Sequence, residues 1–137
     1  MTPLTNRRVL GLLAGLALAA AACNSTAPST SLNPPQPVFP SNGTQVVSSQ
    51  VTLMADHGSA NGASDITDRF ELSTTADFAQ FAGVGDNVKL DDHGSNYTFS
   101  LPPTNVDTVY YWRVRSSNGV ATSAFSAPQM FVYRVQR

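Results

Sequence analysis

Cysteine is nearly missing from this chain of 137 residues: Cys23 is the only one. That excludes an intramolecular disulfide and any cysteine-cluster metal site. Charge is sparse as well, at 12% of residues, and almost cancels to a formal −1. A general nucleic-acid binder needs a basic surface, so no nucleic acid is expected as a partner. Histidine occurs twice, at His57 and His93. No Ser/His/Asp motif and no phosphate-cradling glycine loop accompanies them. The expectation is therefore a protein that is not an enzyme and has no cofactor. From Val38 onward there is no helical period of useful length. What is plentiful is Ser, Thr, Asn and Gly, as in many secreted β-proteins.

The first 22 residues have an export pattern. Arg7 and Arg8 form a positive start, and Val9 to Ala22 is an apolar run of fourteen residues. Such a run is too short to span a bilayer comfortably and suits a signal-peptide core. It ends in Ala20-Ala21-Ala22-Cys23. This resembles the lipobox of bacterial lipoproteins, and the resemblance implies that Cys23 takes a diacylglycerol on its thiol and becomes the mature N-terminus. The family prefers leucine three residues before the cysteine; here that place holds Ala20, and the last leucine is Leu18. The alternative is an ordinary secretory signal cleaved in the alanine run, with Cys23 left as a thiol. Asn6 to Leu10 also has a faint likeness to a twin-arginine export signal. Two or more acyl chains would anchor the protein stably where one would not. Asn24 is not aspartate, and by resemblance to Gram-negative lipoproteins this implies transport to the outer membrane where the cell has one. The expected location is outside the cytoplasm, lipid-anchored to a bacterial membrane.

Residues 24–37 contain four prolines and one large apolar residue, Leu32. Such a stretch cannot bury enough surface to offset its ordering entropy and is expected to be a solvated tether. At about 3.1 Å per residue in an extended polyproline conformation, fourteen residues reach up to roughly 45 Å.

Residues 38–137 read as short apolar alternations between turn signals, the pattern of an all-β sandwich of about seven strands. Strands are expected at Val38-Phe39, Gln45 to Val47, Gln50 to Ala55, Arg69 to Ser73, Val88 to Leu90, Asn96 to Leu101, Val109 to Ser116 and Gln129 to Val135. A short helical turn is expected around Thr75 to Phe81, and turns at Pro40 to Gly43 and Ser117 to Gly119. In Val109 to Ser116, period two sends Tyr110, Trp112 and Val114 inward and Tyr111, Arg113 and Arg115 outward.

The order of these pieces resembles a fibronectin type III domain of the bacterial surface-protein variety. Pro40-Ser41-Asn42-Gly43 resembles its opening turn, and Phe70-Glu71-Leu72-Ser73 its third strand. Leu101-Pro102 followed by Thr108 to Arg115 resembles its E–F corner and sixth strand. Ala124-Phe125-Ser126 resembles the approach to the last strand. The family usually has Trp near the end of the second strand, where this chain has Ala55; Trp112 is expected to fill that volume. The resemblance implies an immunoglobulin-like sandwich in which Tyr110 is the tyrosine-corner residue, its hydroxyl bonded to upstream backbone. It also sets Glu71 beside Arg113 and Arg115, as a solvated cross-strand charge pair.

Candidate surface-binding residues are therefore Tyr111, Arg113 and Arg115. An anion patch of Arg113, Arg115 and Arg134 is a sharper version of the same idea. The tetrapeptide Asp-His-Gly-Ser occurs at 56–59 and again at 92–95. The implied topology puts both copies at one pole, where His57, His93, Asp56, Asp91 and Asp92 could attract a divalent metal. Turn chemistry explains the same residues without one, and no metal site is expected. The functional expectation is an envelope protein whose module serves protein interaction, adhesion or scaffolding. The alternative is an accessory module binding carbohydrate or peptidoglycan, and a metal-dependent enzyme at the His57/His93 pole is a third reading.

Overall fold

The computed structural model describes residues 31–58 and 65–134. They form eight strands: β1 (Gln36–Phe39), β2 (Thr44–Val46), β3 (Gln50–Asp56), β4 (Thr67–Ser73), β5 (Phe81–Lys89), β6 (Ser95–Ser100), β7 (Thr108–Ser117) and β8 (Gln129–Tyr133). One sheet has the order β1-β3-β6 and the other β2-β8-β7-β4-β5. Every neighbouring pair is antiparallel except β2 with β8, which is parallel. The chain is an all-β sandwich.

Alternation builds the core. β3 buries Val51, Leu53 and Ala55, and β7 buries Tyr110, Trp112 and Val114. Phe70 and Leu72 of β4 and Phe131 of β8 join them. Each fully buried large apolar side chain contributes about 1.5–3 kcal/mol. Trp112 is wholly buried, stacked on Phe70 with ring centroids 6.2 Å apart, and its Nε1–H donates to Pro40 O at 2.9 Å. It plugs the space between the sheets, as the sequence leads one to expect. Tyr110 is held by burial and by a stack on Phe131 at 5.5 Å. Among the described residues its hydroxyl makes no hydrogen bond to upstream backbone, so the corner bond implied by the resemblance is not what holds it.

Three local expectations need correction. Residues 74–80 form bends and turns with no helix. β5 runs over nine residues, from Phe81 to Lys89, where only Val88 to Leu90 was expected. Its glycines are the reason it reads poorly: a Cβ on Gly83 would lie 2.6 Å from the Phe99 ring, and one on Gly85 would lie 2.6 Å from the Tyr97 ring. The two aromatics of β6 lie across β5 and leave no room for a side chain beneath them. Finally, β1 begins at Gln36, and Pro35 before it is fully buried. A Cβ on Gly58 would fall 2.3 Å from Asn33 O, so the segment before β1 packs on the loop after β3.

The registers gather the start of β1, β4 and β6 and the end of β3, β5 and β7 at one pole: Gln36 pairs with Asp56, Ala55 with Ser95, and Thr67 with both Lys89 and Ser117. The chain enters the sandwich there. The loop carrying His57, the turn carrying His93 and the turn at Asn118-Gly119 share that pole.

Candidate functional site

On the outer face of the five-stranded sheet, β4 and β7 set Ser73 opposite Tyr111, Glu71 opposite Arg113 and Arg69 opposite Arg115. The Glu71 carboxylate accepts from Arg69 Nε on Oε1 and from Arg113 Nε on Oε2, both at 2.9 Å. Arg69 also reaches Asp86 Oδ2 at 2.5 Å. These two carboxylates raise the Arg69 pKa above its ordinary value, Glu71 contributing most. The Glu71 side chain is only 5% exposed, so the pair is not the solvated one expected from sequence. Two phenyl rings cover it. The Arg113 guanidinium carbon lies 4.0 Å from the Phe78 ring centroid and 3.9 Å from that of Phe125. Arg115 also lies over the Phe125 ring, at 4.6 Å from its centroid. Such cation–π contacts add stabilisation when partly desolvated.

Two irregular segments deliver those rings. Residues 74–80 are tied down by Ser73, whose hydroxyl donates to Gln80 O at 2.7 Å and Thr75 O at 2.9 Å. The loop carries Phe78 inward with φ at 59°, an unusual conformation for a bulky residue. Asp77 in the same loop accepts from Ala79 N–H, which holds its carboxyl below the usual range, with Thr75 helping. Residues 122–126 run beside β7. Ser126 Oγ accepts Val114 N–H at 3.1 Å and Ser123 Oγ accepts Ser116 N–H at 3.0 Å. The backbone N–H groups of the same serines donate to Val114 O and Ser116 O. Serine hydroxyls thus stand in for ladder carbonyls and hold Phe125 against both arginines. Sequence reasoning missed Phe78 and Phe125 as partners of the basic face. The signal was the spacing of Ser123 and Ser126 around Phe125.

The three candidate surface residues therefore differ. Arg113 is consumed by Glu71 and two rings. Tyr111 is half-exposed, and so is Arg115, which has no carboxylate partner among the described residues. The anion patch does not form: Arg134 pairs with Asp107 and bonds Gln45 at 3.2 Å.

At the pole, the two tetrapeptides build different things. Asp56 Oδ1 accepts His57 N–H at 2.7 Å, while His93 N–H goes to Asp91 Oδ1 at 2.8 Å in a turn closed between Asp91 and Gly94. Gly94 sits at φ +122°, and a Cβ there would lie 2.1 Å from Ala55 O. Among the described residues no three His, Cys, Asp or Glu side chains gather as a metal would require. Ser59, the end of the first copy, lies outside the described residues. Ser95, the end of the second, donates to Asp68 Oδ2 at 2.5 Å across the sandwich, and Ser116 donates to Asp68 Oδ1 at 2.6 Å. Asp68 is 1% exposed. Burial pushes its carboxyl above the ordinary 3.8, against the pull of Ser116, Ser95 and His57. His57 Nδ1 is buried with no hydrogen-bond partner. Cys23 lies outside the described residues.

No protein-family model matches the chain, and a search of curated proteins finds no match.

Proposed function

We propose that this chain is a bacterial envelope lipoprotein, anchored through Cys23, whose fibronectin type III-like module is a non-catalytic surface for protein interaction, adhesion or scaffolding. The anchor reading rests on Arg7-Arg8, the apolar run and Ala20-Ala21-Ala22-Cys23. The family reading is supported by a three-stranded sheet packed on a larger one with β7 beside both β4 and β8. The observation that carries the interaction reading is the outer face of β7. There Tyr111 and Arg115 stand half-exposed on a sheet whose neighbouring charges are locked by Glu71 and capped by Phe78 and Phe125. Tyrosine and arginine are enriched among residues that dominate binding energy, and a rigid platform loses little entropy on association.

A photo-cross-linking amino acid at position 111 tests this in intact cells. The expected result is one discrete cross-linked envelope protein, absent when the probe is moved to position 52 on the other sheet. A ladder of products identical from both positions would contradict a dedicated face.

A further inference from the structure

The pole where the chain enters the sandwich also carries an open groove of about 430 Å³, and of the two half-exposed residues of the β7 face only Arg115 reaches it. Its volume is that of a small-molecule site. Asp65, Thr67 and Arg69 of β4 and the loop before it, Asp86 and Asn87 of β5, Arg115 of β7 and the Asn118 turn line it.

Its charges are uneven. Arg69 and Arg115 are directly opposite in the β4–β7 register, and like charges so placed disfavour the sheet. Arg69 is answered by Glu71 and Asp86. Arg115 is not: among the described residues it has the Phe125 ring beneath it and no carboxylate. The ring aims the guanidinium and leaves its charge in place. Beside it, Asn118 Oδ1 accepts from Val120 N–H at 3.0 Å and Ala121 N–H at 2.8 Å. The remaining end of that side chain is its NH₂ donor. Asp86 stands two strands from Arg115, roughly 10 Å away. The β7 side of the groove thus offers a cation and a donor, and the β5 side offers the Asp86 carboxylate, with Asp65 also in the lining.

A simple anion would meet Arg115 and be opposed by Asp65 and Asp86. A neutral sugar would leave Arg115 unanswered. A ligand with a carboxylate at one end and hydroxyls at the other satisfies both sides. The carboxylate takes the two-pronged pairing that guanidinium favours, and the hydroxyls donate to the aspartates. We infer that this groove binds an acidic saccharide, a sugar residue carrying a carboxylate, with Arg115 as the residue that selects for the acid. The groove shares Arg115 with the outer face of β7, while Tyr111 is not among the residues that line it.

The test is a titration of the ¹⁵N-labelled full chain in detergent with sodium glucuronate, glucose, acetate and 4-aminobutyrate. The expected result is saturable shifts with glucuronate at Asn87, Arg115 Nε, Asn118 and Gly119. Arg115→Gln weakens them about tenfold or more, and Arg134→Gln, at the opposite pole, leaves them unchanged. No shifts with glucuronate at tens of millimolar would overturn the inference. So would glucose binding equally well to wild type and Arg115→Gln. Acetate or 4-aminobutyrate binding as tightly as glucuronate would overturn the saccharide half of it. The Trp112 side-chain resonance reports that each variant keeps its core.

Discussion

At the scale of single residues, two buried carboxylates carry most of the polar architecture, and they do so in opposite ways. Glu71 is paired with two arginines and roofed by aromatic rings. Removing one member of such a network leaves charges without partners. Glu71→Ala should cost about 2 kcal/mol in urea unfolding, below the range for fully buried pairs because both arginines still reach water. Asp68 is instead held by two serine hydroxyls in the interior, and burial raises its pKa above 3.8. The native state therefore keeps that proton to higher pH than the unfolded chain. The group's contribution to stability is full below pH 3.8 and is lost as pH rises through the raised native value. Asp68→Asn removes the ionisation while still accepting from one serine and donating to the other. Its Tm relative to wild type should be most favourable near neutral pH and fall as the pH is lowered towards about 3. A pH-independent difference in calorimetry would contradict this. Asp68→Ala strands both hydroxyls and should lose about 1–3 kcal/mol for each.

At the scale of elements, the regular strands were legible and the irregular segments were not. β3, β7 and β8 alternate cleanly because one face of each meets the core, so period two reveals them. β5 hides because its inward places are glycines under Phe99 and Tyr97, and a glycine carries no hydrophobic signal. The burial of Glu71 hides for a related reason. It depends on Phe78 and Phe125, which arrive from loops that have no period. Of the candidate face, the outward phase of Tyr111, Arg113 and Arg115 could be read from sequence, whereas Glu71 beside Arg113 and Arg115 came only from the resemblance, and of those two it bonds Arg113. The caps that separate Arg113 from Arg115 in role could not. The two β5 glycines should respond differently to alanine. Phe99 is a core ring at 7% exposure, whereas Tyr97 is 36% exposed and can swing outward. Gly83→Ala should therefore cost about 1–3 kcal/mol, as overpacking does, and Gly85→Ala clearly less. Equal losses in urea unfolding would mean that Tyr97 is as fixed as Phe99.

At the scale of the whole molecule, one pole collects the chain's entry, the Asp68 clasp between the sheets and the Arg115 groove. The segment before β1 packs there, with Pro35 buried and Asn33 against Gly58. A module hung from Cys23 would thus present its groove at the end where the chain enters the sandwich, with Tyr111 on the flank. If Cys23 is the anchor, Cys23→Ser should move the protein from the membrane fraction to the soluble one on cell fractionation, with the fold unchanged. The most direct measurement is mass spectrometry of the N-terminal peptide of the protein purified from its native membrane. Proteolytic peptides should begin at Cys23 and carry a thioether-linked diacylglycerol on its sulfur. A mature chain that begins elsewhere, or an unmodified Cys23 thiol, would contradict the envelope-lipoprotein proposal.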